Sequence, residues 1–282
     1  MPTSTAVWSR PFHQHGSQSA ELLWVAWMPQ MGIPGAFSRS LDGLPPGDPV
    51  ELDTRLIDDK GWLGEWITGP FASYAAFSST PIDLKRLKAC PGAVVVRDSR
   101  GDPSDLAALQ TGVAMCRGLA RLGALAVLDV YGHRWWHPEA LLALAPAREF
   151  DVREHVRITF ETPARNIEEG HWCHTRGMKK LARPEILMRG LEPRHANPAG
   201  RFLNEVALRM AHGKWYDENS QVRITPPGEA LPTVGFREIP DDSGTPSPMF
   251  VNACLEVFDF YERTQEVSNS CVNLLAALEQ WA

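Results

Sequence analysis

The sequence predicts an α+β protein with a mixed, largely antiparallel sheet that is packed by helices. Short apolar runs of strand length occur among helical patterns, but strands and helices do not alternate strictly as they do in parallel α/β proteins. Apolar residues make up 44% of the 282 residues and charged residues 22%, which is typical of a chain with a well-formed core. We predict a single domain over residues 1–282, with a division into two halves near residues 145–152 as the alternative.

The amino-terminal part of the chain is predicted to contribute mainly strands. The run ELLWVAWM at residues 21–28 is apolar enough for a buried strand, and VELDTRLI at residues 50–57 alternates like a half-exposed one. Residues 32–49 are dense in glycine and proline, which predicts a loop. Residues 63–77 predict two more short strands that are broken at residues 69–70.

The middle of the chain is predicted to mix helices and strands. Residues 81–87 indicate a short helix and residues 93–97 a strand. Ser104 is a favoured helix N-cap residue, and apolar residues follow it at helical spacing. A strand is predicted at residues 124–130, and Pro138 then begins another helix, because proline is favoured in the first helical turn.

The carboxyl-terminal part begins with an alternating strand at residues 155–161, for which residues 171–176 are the predicted hairpin partner. Residues 202–211 predict a helix. Further strands and a closing helix are predicted at residues 222–225, 233–238, 250–258 and 267–281.

Composition and motifs narrow the possible functions. The formal charge of −6 argues against general nucleic-acid binding, which depends on many lysine and arginine contacts to phosphates. The chain has no signal-peptide pattern, no long apolar span and an odd number of cysteines, so we expect a cytoplasmic protein that does not bind membranes. Walker, Rossmann, G-x-S-x-G, H-E-x-x-H and C-x-x-C motifs are absent, and no cofactor is predicted.

The segment GHWCHTRGMKK at residues 170–180 is the first candidate site, because it holds two histidines and a cysteine. On a strand, His171 and Cys173 would share one face, and Trp172 and His174 the other. This alternation separates the two histidines and weakens both a metal site and a cysteine nucleophile. The favoured interpretation is a half-buried strand that runs into a basic turn at the surface.

The second candidate is the turn that follows the strand at residues 124–130. Asp129, His133 and His137 carry side chains that bind zinc or iron, and turns after strands often hold functional groups. In the simpler interpretation, this is a tight loop in which Trp135 and Trp136 cover the edge of the core.

The third candidate is a local excess of positive charge between residues 170 and 190. Five basic residues stand there against one acidic residue, Glu185: Arg176, Lys179, Lys180, Arg183 and Arg189. This pattern indicates a surface for a carboxylate- or phosphate-bearing partner, or else an ordinary solvated face.

The run HTRGMKKLARPEI at residues 174–186 resembles a segment of an uncharacterised bacterial domain family. Members of that family occur near genes for secreted toxins and their immunity proteins. The upstream run CRGLARLGALAVLDVYGHRWWHPEAL is also similar, so the resemblance covers residues 105–190. It implies an α+β domain without an established enzymatic activity. The family usually has glycine where this chain has Ala182, and the matching positions are His174, Thr175, Gly177, Pro184 and Glu185.

These observations favour a non-catalytic binding protein, such as an immunity protein that neutralises a toxin or effector domain by direct contact. An acidic inhibitor would suit a basic target, because complementary charge accelerates encounter. The predicted partner-binding residues are Trp135, Trp136, His174, Arg176, Lys179, Lys180 and Arg183.

The alternative is a metal-assisted hydrolase in which the metal activates a water molecule. It requires the strand at residues 124–130 and the segment at residues 171–176 to be neighbours in one sheet. Its ligands would be Asp129, His133, His137, His171 and His174.

Overall fold

The structure is a computed structural model, and it confirms the α+β class. The described strands form two sheets that are mostly antiparallel, and helices pack against both sheets. By its backbone contacts the chain divides into a first unit, residues 1–10 and 19–154, and a second unit, residues 11–18 and 155–282. The single-domain prediction and its alternative stay predictions. The described residues are 6–30, 51–56, 61–144, 149–162, 170–223, 233–239 and 252–259.

The first unit contains a five-stranded antiparallel sheet in the order β2-β3-β1-β4-β5. The central strand β1 is buried on both faces over most of its length, which explains its almost continuous apolar run. The strand bounds are β1 Ala20–Met28, β2 Glu51–Leu56, β3 Gly92–Arg100, β4 Ala126–Asp129 and β5 Arg134–Trp136.

One face of this sheet is covered by the long helix α3. A methyl group on Gly112 of α3 would lie 2.3 Å from the Trp24 ring of β1, so glycine permits the close approach of helix and sheet. The helical segments up to the unit boundary are α1 Trp62–Ile67, a 3₁₀ helix Pro70–Phe77, α2 Leu84–Lys88, α3 Ala107–Arg121, α4 Pro138–Ala143 and α5 Val152–His155.

The other face of the first sheet packs against α1, the 3₁₀ helix and α2. Leu63, Trp66 and Ile67 point inward from α1, and Leu87 points inward from α2. The sheet contributes buried side chains from four strands to the same core: Val25, Trp27, Ala93, Val95, Ala126, Leu128 and Trp135.

The second unit contains a six-stranded sheet in the order β6-β7-β8-β11-β10-β9. The pair β8 and β11 is parallel, and the other described pairs are antiparallel. The strand bounds are β6 Arg157–Glu161, β7 His171–Arg176, β8 Glu185–Leu191, β9 Gln221–Arg223, β10 Thr233–Glu238 and β11 Cys254–Asp259.

Helix α6, Ala196–Ala211, packs on one face of the second sheet. It buries an apolar stripe that includes Phe202 and Val206, and a methyl group on Gly200 would lie 3.8 Å from Ile158 of β6. Two short 3₁₀ helices, Met178–Leu181 and Pro193–His195, complete the described elements of this unit.

Most of the predicted elements are confirmed, but two interpretations are wrong. Residues 63–77 are helical rather than two strands, because a short helix of six residues holds too few turns to display its period. Ser104 does not cap α3; the Asp105 carboxylate accepts a hydrogen bond from the Ala107 amide at 3.0 Å instead. Strands β5 and β8 were not predicted. The predicted elements at residues 32–49 and 267–281 lie outside the described residues.

Candidate binding surface

Asp129 at the end of β4 shapes the turn that follows it. Its side chain is buried, and Oδ1 accepts a hydrogen bond from the Gly132 amide at 3.0 Å. A methyl group on Gly132 would lie 2.6 Å from the Asp129 carboxylate, so glycine is required there. The local geometry therefore gives Asp129 a structural role in the turn.

His133 is enclosed by aromatic rings of the first unit. Its ring centroid lies 4.9 Å from that of Tyr74, 5.1 Å from that of Trp66 and 6.0 Å from that of Phe71. The residue has a φ of +47° and its side chain is buried. Since the positive φ is uncommon for histidine, the aromatic packing must stabilise this turn conformation.

The other predicted residues of this turn are also engaged in packing and capping. Trp135 is 3% exposed and its ring centroid lies 4.9 Å from that of Trp27, so it packs in the core as the simpler interpretation predicts, and its burial opposes the predicted partner-binding role. Trp136 is half-buried beneath the Arg134 guanidinium. The side chain of His137 caps α4 by accepting a hydrogen bond from the Glu139 amide.

Strand β7 separates the two histidines of the first candidate site, residues 170–180. His171 stacks on Phe160 at 5.0 Å, whereas His174 Nε2 lies 3.5 Å from Glu161 Oε2. Because Phe160 and Glu161 are consecutive residues of β6, the histidines lie on opposite faces of the sheet, as the alternation predicts. Cys173 is buried, and burial raises the pKa of its thiol to about 12, which opposes a nucleophilic role at neutral pH.

Glu161 faces a cluster of positive charge on the second sheet. Burial alone would raise the pKa of its carboxyl group, but the hydrogen bond with His174 and the charges of Arg176 and Arg157 outweigh burial and lower the pKa. Glu161 is therefore held as a carboxylate beside His174.

The five residues of the predicted metal site do not meet its structural requirement. Asp129 belongs to β4 of the first sheet, and His171 and His174 belong to β7 of the second, so the two strands are not neighbours in one sheet. Within the described part of the chain, no three of these five side chains bring their ligand atoms together.

The predicted basic surface is mostly buried. Three of its five basic residues, Arg176, Lys180 and Arg183, are each 3% exposed or less, so at these positions the chain presents neither the predicted partner surface nor a solvated face. His174, which was also predicted to bind a partner, is buried completely. Lys179 is half-buried. The Lys180 ammonium donates to the His155 carbonyl at 2.6 Å, which anchors the turn after β7 to the start of β6.

Arg183 connects distant backbone segments of the second unit. Its guanidinium carbon lies 5.3 Å from the centroid of the Trp215 ring. The guanidinium donates to four carbonyl oxygens at 2.7–3.0 Å, those of Gln14, Ala182, Gly213 and Lys214. Because a guanidinium has five donors in a fixed plane, one side chain can satisfy all these acceptors.

Glu185 organises the turn between β7 and β8. Its carboxylate accepts hydrogen bonds from the Gly177 amide at 2.9 Å, the Met178 amide at 3.0 Å and the Thr175 hydroxyl at 2.7 Å. Burial raises the pKa of Glu185, although these hydrogen bonds and the charge of Arg176 oppose the shift. Ala182 in the same turn has a φ of +51°, a conformation that favours glycine.

Among the described residues of the first unit, the large exposed aromatic side chains lie on α1 and the following 3₁₀ helix, where the sequence pattern predicted strands. Phe77 is 68% exposed and Trp62 is 44% exposed. We define the aromatic surface as Trp62, Phe71, Tyr74 and Phe77. In the sequence, this surface is marked by a high density of aromatic residues: residues 62–77 contain five in sixteen positions.

Three members of the aromatic surface, Phe71, Tyr74 and Phe77, are connected to the buried Trp66 by a series of ring contacts. Phe71 stacks on the buried Trp66 at 4.8 Å, and Tyr74 lies 6.4 Å from both Phe71 and Phe77. Its half-buried members are therefore held by the core, whereas its outermost rings face solvent. A preorganised set of aromatic side chains is typical of the centre of a protein interface.

Among the described residues, no helix has the length and apolar character needed to cross a membrane. Comparisons of the chain with family models, curated proteins and solved structures found no match.

Proposed function

We propose that this protein is a non-catalytic protein-binding protein and that the aromatic surface of the first unit is its interface. The observation that carries the proposal is the exposure of Trp62 on α1 and of Phe77, which contacts Tyr74 in a series of rings that ends on the buried Trp66. Phe71, Tyr74 and Phe77 contact one another in series, and an exposed apolar patch is characteristic of a surface that a partner covers. Tryptophan is also among the residues that dominate binding energy at interfaces.

The roles of the polar candidate residues support this choice over an enzyme. Asp129 closes a turn, His137 caps a helix and Glu185 accepts three hydrogen bonds from its own turn. The thiol of Cys173 is buried with a raised pKa. Each of these groups has a local structural role, so none needs a substrate to explain its position.

We further propose that the partner is a toxin or effector domain of a bacterial secretion system, so that the two proteins form a toxin–antitoxin pair of the immunity type. The resemblance of residues 105–190 to a family found near toxin and immunity genes supports this form of the proposal. An immunity protein acts where its toxin would act, so we place this one in the cytoplasm. Trp136 and Lys179, which are half-buried, remain candidates for the rim of an interface.

The experiment that tests the proposal is affinity purification from the native host with the wild type and the double variant Trp62→Ala/Phe77→Ala. We expect a specific protein to co-purify with the wild type and to be lost with the double variant, because the variant removes the exposed anchors. The matched control is Phe12→Ala, which removes a 55% exposed aromatic ring of the second unit.

A partner that is retained by the double variant would move the interface away from the aromatic surface, and the absence of any partner would contradict the binding function. If the recovered partner is a toxin, growth of cells that express it should depend on co-expression of this protein. A variant at Arg176 would be a poor test, because that residue is 3% exposed and its replacement would impair folding.

A further inference from the structure

We infer that the first unit binds a small neutral carbohydrate in a cavity on its sheet, which we name the strand cavity. The volume of the cavity is about 560 Å³, within the range of about 300–1,000 Å³ that is typical of small-molecule sites. The site shares no residue with the aromatic surface, so it goes beyond the proposed protein-binding function and can be tested separately. Its lining includes Leu23 and five polar residues: Glu21, Arg97, Asp98, Ser99 and Tyr131.

The strand cavity occupies one end of a sheet face whose other end is covered by helices. Glu21 of β1 pairs with Ser99 of β3, and Leu23 pairs with Arg97. Because side chains two residues apart on a strand share a face with their cross-strand partners, these four side chains lie on the same side of the sheet. The next residue of β1 on this side, Val25, belongs to the core beneath α1 and α2. Arg97 and Ser99 are exposed, so a ligand can enter from solvent.

The described ionisable groups around the strand cavity balance one another in formal charge. Glu21 and Asp98 are acidic, and Arg97 and Arg100 are basic. Arg100 donates two hydrogen bonds to the Asp98 carboxylate, from Nε at 2.6 Å and from Nη2 at 2.8 Å. This balance favours a neutral ligand over an ion, because an ion would lose hydration without meeting an excess of opposite charge.

Hydroxyl groups hold the Glu21 carboxylate in a fixed position at one wall of the strand cavity. The Tyr131 hydroxyl donates to Glu21 Oε2 at 2.7 Å, and the Ser19 hydroxyl donates to Oε1 at 3.3 Å. Burial and the hydrogen-bonded carboxylate raise the pKa of Tyr131, so its hydroxyl keeps the proton that it donates. A carboxylate offers about four acceptor sites, so Glu21 can hold these hydroxyls and also accept from a ligand.

The groups of the strand cavity match the adjacent hydroxyl groups of a sugar. A carboxylate accepts through two oxygens and a guanidinium donates through a planar fork, so Glu21 and Arg97 are each suited to a pair of neighbouring hydroxyls. The Ser99 hydroxyl can both donate and accept. Leu23, which is half-buried, provides apolar surface for the C–H groups of a sugar ring. A small neutral carbohydrate combines these donors, acceptors and apolar groups.

Calorimetric titration of the full chain tests this inference, with glucose, galactose, mannose, maltose and lactose as separate neutral probes. We expect the wild type to bind at least one of them with a dissociation constant of about 1 mM or tighter, and more tightly than the anion glucuronate or the cation of glucosamine. Arg97→Gln should weaken binding about tenfold, because it removes a charge-assisted pair of donors. Arg86→Gln is the matched control, since Arg86 is an exposed residue of the same unit that does not line the cavity.

Arg97→Lys separates a two-point contact with a sugar from simple attraction by charge. It keeps the positive charge but not the planar fork, so sugar binding should weaken as in Arg97→Gln. Because Arg97 is exposed, both variants should unfold at the same temperature as the wild type. The inference is overturned if the wild type binds none of the five neutral sugars or binds a charged sugar more tightly than all of them. It is also overturned if Arg86→Gln weakens binding as much as Arg97→Gln, or if Arg97→Lys binds like the wild type.

Discussion

The aromatic surface of the first unit and the turn between β7 and β8 of the second unit, residues 177–184, which we call the basic turn, reverse the usual distribution of residue types. Phe77 is 68% exposed, whereas Lys180 is 2% exposed and Arg183 is buried completely. Lysine and arginine are rarely fully buried unless they are paired, and clusters of exposed aromatic rings are rare on monomeric proteins. The two regions differ in whether their side chains contact hydrogen-bond acceptors within the protein or solvent.

The basic turn finds its partners within its own unit. Lys180 and Arg183 donate to backbone carbonyls from residues far apart in the chain, so their burial is compensated by hydrogen bonds. The outermost side chains of the aromatic surface, Trp62 and Phe77, are 44% and 68% exposed. The buried basic residues therefore stabilise the fold, whereas the exposed aromatic residues form the surface that we propose as the interface.

Replacing Arg183 should have the largest effect on stability. Arg183→Met removes the donor to four carbonyl oxygens, so we expect a loss of about 3–5 kcal/mol in the free energy of unfolding. Arg194→Met, the same change at an exposed arginine, should cost less than about 0.5 kcal/mol. Urea denaturation of both variants measures the difference. Equal, small losses would show that Arg183 belongs to a surface after all.

Two glycines with similar backbone conformations allow a matched comparison between the units. Gly177 of the second unit has a φ of +105° and Gly123 of the first a φ of +95°. A methyl group on Gly177 would lie 2.7 Å from the His155 carbonyl oxygen, whereas one on Gly123 would meet nothing within 4 Å. Gly123→Ala should therefore cost about 1 kcal/mol from backbone strain alone, and Gly177→Ala about 1–3 kcal/mol more.

Thermal unfolding of these two glycine variants beside the wild type is the measurement. A Gly177→Ala variant no less stable than Gly123→Ala would mean that the turn after β7 adjusts freely. That result would contradict the rigid arrangement in which Glu185 accepts the amide hydrogen bonds of Gly177 and Met178.

Two buried glutamates of the second unit should respond to pH in opposite directions. The pKa of Glu185 is raised in the folded state, so its contribution to stability is present below its ordinary value of 4.5 and is lost as pH rises through the raised pKa. Burial opposes ionisation of Glu256, but hydrogen bonds from Arg237 and Arg189 outweigh it and lower the pKa, so its contribution is present above 4.5 and is lost as pH falls through the lowered pKa. Glu185→Gln should therefore reduce the pH dependence of the free energy of unfolding above pH 4.5. Glu256→Gln should reduce it below pH 4.5.

Urea titrations on both sides of pH 4.5 separate the two glutamates. In the Glu185→Gln variant, the carbonyl oxygen of the introduced amide can still accept hydrogen bonds from the turn amides, so that variant should fold. If both variants change the pH dependence on the same side of pH 4.5, the prediction that the pKa values of Glu185 and Glu256 shift in opposite directions is wrong.

Truncation at the aromatic surface should have the smallest effect on stability. Phe77→Ala removes a ring that is 68% exposed, so we expect a loss of less than about 1 kcal/mol. Chemical denaturation checks this value. A loss as large as that of Arg183→Met would mean that Phe77 supports the fold rather than a partner.

Secondary structure could be predicted where an apolar pattern was long or where a residue such as proline marked the start of a helix. Strand β1 follows from its apolar run, and α4 from Pro138 at its first position. Helix α1 was missed because six residues make fewer than two turns. Strand β8 was missed because Glu185 and Arg189 interrupt its apolar run, and the partners that permit their burial lie at Thr175, Gly177, Met178 and Glu256.

The sequence by itself determined the α+β class and the alternation that places His171 and His174 on opposite faces of a strand. Both depend on local periodicity, which is present in neighbouring residues. Only the tertiary structure decided that Arg183 is buried and Phe77 is exposed. The physical reason is that the burial of a charge depends on acceptors such as the Gln14 carbonyl, which is distant in the sequence and is brought near only by folding.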